Sequence, residues 1–420
     1  MSKKTIISEF FTTVSLNQYL DSIYSMTFRL PKLRKWNDTE KAENSLLNYL
    51  WATDSKIISF YNWRSALYHA LKMIWIKKSD EIIVSWFTCV TVSNAVIQSS
   101  WKIIYSDIDK KTLWFDIKEL EKNITSKTKV IVIQHTFGKP SNIKKIISLA
   151  KEKNILVIED CAHSLWSEVI SKKLGTFWDF SIFSTWRDKV ISSVSWGFLL
   201  INNNKYFKKV KIIKSKLKNP SILLTLRNLN YNLAWKEALS LYNFHKVWKI
   251  VIYLSRKLKL ITEILTKKEK NCEYKDFNYK LPNSLAYLCL NQLNKLDYII
   301  NHNIKLAEIY NKWLDNKKIS ILFKEKKTEK NNYFRYPILL KSDEEKLKLY
   351  NYMKKHNILL WNTWSWTNIV PVWSNIKKAK YISWSCKVAE NISKRILTLP
   401  NHINVNKEEV EKVIKLINKF

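Results

Sequence analysis

Between residues 57 and 202, short unbroken apolar runs alternate with segments that are apolar at every third or fourth position. The runs are IISFY at Ile57, EIIV at Glu81, KIIYSD at Lys102, KVIVIQ at Lys129, ILVIED at Ile155, FSIF at Phe180 and GFLLIN at Gly197. Runs this short, rich in Ile and Val and without polar alternation, predict seven strands of a mostly parallel sheet covered on both faces. SALYHALKMI and NIKKIISLAKEKN carry the helical period and supply the cover.

Residues 206–270 are Lys-rich, apolar at helical spacing and free of strand signals, so they predict a basic helical insertion. Such a pattern most often marks a solvated insertion; it also suits peripheral seating on an anionic membrane. After residue 276 come one long helix, NSLAYLCLNQLNKLDYIINHNIKLAEIYNKWL, a strand YFRYPILL, a helix DEEKLKLYNYMKKH, a strand RILTLP and a closing helix KEEVEKVIKLINKF. The expected architecture is α/β, with a large domain over 1–275 and a small α+β domain over 276–420, a division that suits 420 residues.

The net charge of +36 would ordinarily point to a polyanionic partner. Only eight of the 72 basic residues are Arg, however, and Lys, Asn and Ile are abundant throughout. AT-rich codons explain that spread without a specific nucleic-acid partner. Five cysteines, Cys89, Cys161, Cys272, Cys289 and Cys386, form no CxxC pair and no zinc-ligand spacing. The first residues lack the apolar stretch of a signal peptide, and no uncharged apolar run reaches membrane-spanning length, so a cytoplasmic protein is expected.

The chain holds three glycines and nineteen tryptophans, where average usage predicts roughly thirty glycines. Trp75 and Trp101 stand where a helix gives way to a strand, the usual place of a left-handed glycine. Trp63 lies between a strand and a helix start, and Trp196 precedes Gly197. Left-handed backbone costs a side-chain-bearing residue about 1–2 kcal/mol, and a dozen such sites would exceed a stability of about 5–15 kcal/mol. The economical reading is that many of these positions are UGA codons, decoded as glycine in some bacterial lineages; Trp364 and Trp366 are the candidates for genuine tryptophan. A Trp-rich carbohydrate surface does not account for the missing turn glycines.

Chemistry enters at ILVIED, which ends in Asp160, and at Lys189 downstream. Ligands of open α/β sheets bind beyond the carboxyl ends of strands, so this acid and this lysine can share a site. The ordered set VIEDCAHSL, KLGTFWDFSIFS and TWRDKVISSVSWG resembles the DegT/DnrJ/EryC1/StrS family of pyridoxal-phosphate (PLP) aminotransferases. The likeness extends through YNWRSALYHAL, EIIVSWFTCVTVSNAV, IDKKTLWFDIKELEKNI, QHTFGKP, FNYKLPNSLAYLCLNQL and ISWSCKVAENISKRILTLPNH, covering nearly the whole chain apart from 206–270.

The resemblance implies the type I PLP-transferase fold and a set of roles. Lys189 matches the lysine that holds the cofactor, Asp160 the acid that pairs with its pyridinium nitrogen, and His163 the residue beside its phenolic oxygen. Ser184 and the turn Trp63-Arg64-Ser65 match the phosphate site, as helix N-termini favour anions. Cys89 falls where the family usually stacks an aromatic ring on the cofactor, with Phe87 nearby. Asn278 matches an Asn that reaches the phosphate from a partner subunit, which implies a homodimer with shared sites. The implied activity is transamination, with glutamate as the donor, of a nucleotide-linked keto-sugar in surface-polysaccharide or amino-sugar biosynthesis; no metal is expected. The rival expectation is a non-catalytic basic protein of this fold docking on anionic membrane or nucleic acid.

Overall fold

All seven apolar runs form strands of one sheet. In chain order they are β1 (Lys56–Phe60), β2 (Glu81–Ser85), β3 (Lys102–Ser106), β4 (Thr128–Gln134), β5 (Leu156–Asp160), β6 (Phe180–Ser184) and β7 (Gly197–Ile201). Their spatial order is β1-β7-β6-β5-β4-β2-β3. The pairings are parallel except those of β7, which runs antiparallel to β6 and β1. The computed structural model describes residues 5–8, 15–29, 37–75, 77, 79–242, 244, 247–322, 327–362, 369–370 and 373–420; Trp364 and Trp366 lie outside them.

Ile82, Ile83, Val130, Ile131, Ile158 and Leu199 are all buried, and neighbours along a strand point to opposite faces. Each such side chain contributes about 1.5–3 kcal/mol when withdrawn from water, so both faces need cover. Helices Trp63–Met73 and Val90–Gln98 cover one face, while Asp38–Tyr49, Ile143–Glu152 and Asn283–Leu293 cover the other.

The long helix expected after residue 276 is instead two, Asn283–Leu293 and Leu296–Trp313, broken at Asn294 and Lys295. Leu296, Ile299 and Ile300 belong to the sheet core, whereas Leu306, Ala307 and Tyr310 belong to the core of the C-terminal region. The sheet core thus continues through Ile300, past the expected boundary at 275/276, because Asn283–Leu293 lies on the helix Asp38–Tyr49 rather than on C-terminal elements. In the C-terminal region Ile319–Ile321, Tyr336–Leu340 and Ile396–Leu399 form an antiparallel sheet, with helices Asp343–Lys355 and Lys407–Lys419 packed beside it. Ile319–Ile321 is too short to show a period.

Between 206 and 270 the described residues form helices Phe207–Lys216, Ile222–Ser240, Val247–Lys257 and Lys267–Lys270. The solvated reading does not hold for Ile222–Ser240. Asn228, Leu229, Tyr231, Asn232 and Trp235 are buried in it, and Tyr231, Trp235, Ile252 and Ile261 share a core with Val194, five residues beyond Lys189. Among the described residues no helix is long and apolar enough to cross a membrane.

The left-handed tryptophans are not those expected from the sequence. Trp51, Trp166 and Trp384 have φ of 54°, 86° and 69°, whereas Trp63, Trp75, Trp101 and Trp196 do not adopt positive φ. At the turn before β3 the left-handed residue is Ser100, φ 72°.

Candidate active site

The strand register brings the expected residues to one edge of the sheet. Asp160 ends β5 between Gln134 of β4 and Ile182 of β6. Ser184 ends β6 opposite Gly197, which in turn lies opposite Phe60, so the start of the helix Trp63–Met73 sits beside Ser184.

Asp160 is buried, and its Oδ1 accepts the Ala162 N–H at 3.0 Å. Burial pushes this carboxyl above its ordinary range, while the Ala162 N–H, then Lys189 and His135, draw it back. Beneath it, His135 Nε2 lies 3.2 Å from Glu159 Oε2, both fully buried. Because His135 Nδ1 accepts the Ser141 N–H, the Nε2 proton goes to Glu159, whose oxygens also accept from Gly175 and Phe177 N–H. With Cys161 these groups are close enough for a metal ion. His135 and Glu159 are already committed to each other and to backbone N–H groups, so we read them as a brace for the end of β5.

Lys189 follows a turn closed by its own N–H on the Trp186 carbonyl at 2.9 Å. Its Nζ lies 3.9 Å from Asp188 Oδ1 and 5.7 Å from the Phe334 ring centre. Its charge acts on Asp160, on the Cys89 thiol and on His163, which places all four in one cluster. Burial, followed by Lys189 and Arg335, holds the His163 imidazole well below its ordinary value. Its Nδ1 accepts the Phe137 N–H at 3.3 Å, so the neutral ring carries its proton on Nε2 and can donate it to an oxygen.

At the other end of the cluster Asn62 caps the helix, its Oδ1 accepting both the N–H and the Oγ of Ser65 at 2.9 Å. The Ser65 N–H expected at a phosphate is therefore already engaged. Arg64 is buried, paired with Glu269 and set over the rings of Trp186 and Tyr274. Its Nε and Nη1 have no hydrogen-bond partner, which is costly for a buried cation. A Cβ on Gly197 would meet Trp63 Cα at 2.1 Å, so only glycine permits that approach. Ser184 is buried and its Oγ accepts the Trp186 N–H at 3.2 Å.

The Cys89 thiol, bonded by Thr91 Oγ1 at 3.1 Å, is raised by burial and so stays neutral. Phe87 is fully buried in the core beside Phe137. Asn278 is exposed and outside this cluster, its carbonyl accepting the Lys218 N–H at 2.8 Å.

These residues fit PLP. Lys189 would offer the amine, Asp160 a buried partner for the ring nitrogen and His163 a donor for the phenolic oxygen. The orphaned Arg64 guanidinium atoms beside a helix N-terminus offer an anion site.

Sequence reasoning missed Asn62, Glu269, Phe334, Arg335 and Arg187. A signal was present for the last two. In a chain so biased towards Lys, a retained Arg marks a place where the planar fork is needed, and Arg64, Arg187 and Arg335 are all buried. Arg187, two residues before Lys189, donates to Thr262 O at 3.0 Å and to Thr262 Oγ1, and its guanidinium lies 3.9 Å from the Tyr231 ring centre. Thr262 Oγ1 in turn donates to Asn228 Oδ1 at 2.9 Å. Helix Ile222–Ser240 and Thr262 thus buttress the segment bearing the lysine. Thr262→Ala is expected to destabilise the protein by about 1–3 kcal/mol in urea titration by taking an acceptor from a buried guanidinium.

The DegT/DnrJ/EryC1/StrS aminotransferase family model matches residues 31–232 and 254–418, so the internal stretch it leaves out is 233–253, narrower than the 206–270 expected from sequence. The chain is 26% identical to GDP-perosamine synthase of Escherichia coli O157:H7, over 96% of this chain and 94% of that one. It is 30% identical to UDP-N-acetyl-3-dehydro-alpha-D-glucosamine 3-aminotransferase of Acidithiobacillus ferrooxidans over 32% of this chain and 37% of that one. Among solved structures it superposes on Helicobacter pylori PseC, an aminotransferase of pseudoaminic acid biosynthesis, with TM-score 0.72 and 20% identity, covering 96% of each chain. The sugar aminotransferase Spr1654 of Streptococcus pneumoniae in its PLP form gives TM-score 0.72 at 18% identity, again covering 96% of each chain. The chain belongs to the DegT/DnrJ/EryC1/StrS aminotransferase family and is a PLP-dependent transaminase.

Proposed function

We propose that the enzyme takes an amino group from an amino acid, glutamate first among candidates, and places it on the keto carbon of a nucleotide-linked sugar destined for a surface polysaccharide or other amino-sugar product. The observation that carries the chemistry is the cluster of Lys189, Asp160 and His163 at the carboxyl edge of the sheet. The near full-length likeness to GDP-perosamine synthase supports the substrate class.

Bound here, PLP supplies an electron sink for negative charge at the reacting carbon. Asp160 keeps the ring nitrogen protonated, an ion pair that also offsets the burial of its own carboxylate. His163 Nε2–H donates to the phenolic oxygen, and its low proton affinity keeps it from becoming a competing acid. Lys189 would anchor the cofactor, and its ε-amine, when free, would serve as the base that carries a proton at the reacting carbon. Arg64 and Ser184 hold the phosphate, and Asn278 reaches the partner subunit's phosphate in a homodimer. Glutamate added to purified holoenzyme should bleach its visible band, and a nucleotide-linked keto-sugar should restore it. A band indifferent to every amino acid would overturn the reading.

Four buried indole N–H groups, at Trp86, Trp101, Trp178 and Trp196, have no hydrogen-bond partner, and buried tryptophans ordinarily find one. Trp86 lies with its ring centre 3.4 Å from that of Tyr381, closer than ring pairs usually sit. With the left-handed Trp51, Trp166 and Trp384, these observations support glycine at most tryptophan positions of the protein made in its own cell. Peptide mass spectrometry of the natively made chain checks this directly: glycine is expected at 86, 166 and 196, and tryptophan at all three would refute it.

Peripheral seating on an anionic membrane draws support from the helix Val247–Lys257, where Ile250 and Tyr253 are exposed beside Lys249 and Lys257. Sedimentation with phosphatidylglycerol vesicles tests it. Binding that survives Ile250→Ser with Tyr253→Ser would exclude this seat.

A further inference from the structure

Asn332 is fully buried, and every polar atom of its side chain is engaged. Its Nδ2 donates to His163 O and to Leu165 O, both at 2.9 Å, and its Oδ1 accepts the Phe334 N–H at 2.8 Å. This last bond spans Tyr333, whose φ of 46° is left-handed, so the asparagine turn holds a backbone that a tyrosine otherwise avoids. The Asn332 N–H donates to Ser167 Oγ at 3.1 Å, and that hydroxyl donates to Gly138 O at 2.7 Å. Gly138 closes the circuit, since its neighbour Phe137 gives its N–H to His163 Nδ1 at 3.3 Å. A Cβ on Gly138 would overlap Asn332 Oδ1, so the amide and the glycine are fitted to each other. One amide, from the segment that enters the C-terminal sheet, thus ties together the turns that follow β4 and β5.

We infer that Asn332 is a positioning residue for the reaction, one that sets the place and the direction of the His163 imidazole at the cofactor's phenolic oxygen. The inference rests on the assignment of His163 to that oxygen. His163 is held at both ends, at its carbonyl by the Asn332 amide and at its ring by the Phe137 N–H, and both holds belong to one network. Burial, with the charges of Lys189 and Arg335, keeps the ring neutral, so the direction of its single N–H decides whether it can donate. Asn332 also sets Phe334, whose ring centre stands 4.8 Å from that of His163 and 5.7 Å from Lys189 Nζ. The chemistry calls for asparagine. Two carbonyls need two N–H donors and the Phe334 N–H needs an acceptor, a set that a primary amide of this length supplies. Aspartate would face both carbonyls with acceptors alone.

The visible band of the holoenzyme tests the inference through its maximum and its pH titration, because a donor at the phenolic oxygen favours that oxygen's anionic form. His163→Ala should displace the maximum and raise the titration midpoint by about one pH unit, the scale of one charge-assisted hydrogen bond. Asn332→Ala should move both in the same direction by a comparable amount. In the His163→Ala background it should move neither further, since Asn332 acts through the imidazole. An amide that only stabilised the fold would lower the urea midpoint in both backgrounds and leave the band as in wild type. Should Asn332→Ala fail to fold, Asn332→Ser, which keeps an acceptor for the Phe334 N–H and one donor, carries the same comparison. Additive shifts, or an Asn332 variant whose band matches wild type, would overturn the inference. If His163→Ala itself leaves the band unmoved, the assignment of His163 fails and the inference with it, so the two failures are distinguishable.

Discussion

Lys189→Ala is expected to remove the visible absorbance of the holoenzyme and to reduce turnover by about a thousandfold or more, the scale on which a lost proton-transfer group and a lost covalent anchor act together. The fold should survive. Lys189 lies in a turn held by its backbone, with Val190 and Ile191 in the core and Arg187 fixed to Thr262. The side chain's charge contact is a 3.9 Å approach to Asp188 Oδ1, worth little to stability. Circular dichroism and urea midpoints should therefore stay close to wild type while absorbance and turnover vanish. A variant that keeps a visible band would mean that another amine holds the cofactor.

Asp160→Asn separates activity from stability in opposite directions. Turnover should fall by about 10²–10⁴-fold, because a neutral amide cannot keep the ring nitrogen protonated. Without cofactor, the same change should stabilise the protein at neutral pH. The sign follows from the direction of the shift: burial raises the folded-state carboxyl above its ordinary 3.8, so over the interval between those two values the folded chain binds more protons than the unfolded one. Stability contributed at this site is then complete below 3.8 and lost as pH rises through the folded value. Asparagine has no ionisation to lose and can still accept the Ala162 N–H. Urea titrations of apoprotein should show the variant more stable than wild type at pH 7 and the two converging towards pH 4. A variant less stable at pH 7 would contradict the raised carboxyl. An active site that stores such a cost is expected where function and stability compete.

The sheet was legible because it rests on a local signal. Each of the seven runs is short, branched and free of polar alternation, and burial on both faces is the only arrangement that satisfies it. Asp160, His163, Ser184 and Lys189 were legible for a related reason, since they cluster within thirty residues around two adjacent strand ends. What escaped depends on partners distant in sequence. Nothing near Arg64 foretells Glu269, and nothing near Lys189 foretells that Thr262 and Asn228 hold its loop. The break at Asn294 and Lys295 is likewise set by two cores, since the helical period runs through it unbroken in the sequence. The left-handed sites fell at Trp51, Trp166 and Trp384 because turn geometry depends on the whole connection and not on the residue before a strand.

The account depends on one covalent assignment. Reduction of the purified holoenzyme with borohydride fixes the cofactor to its amine, and digestion followed by peptide sequencing finds the modified residue. The pyridoxyl group is expected on Lys189; recovery of the label on any other lysine, or of no label from a protein that transaminates, would contradict it.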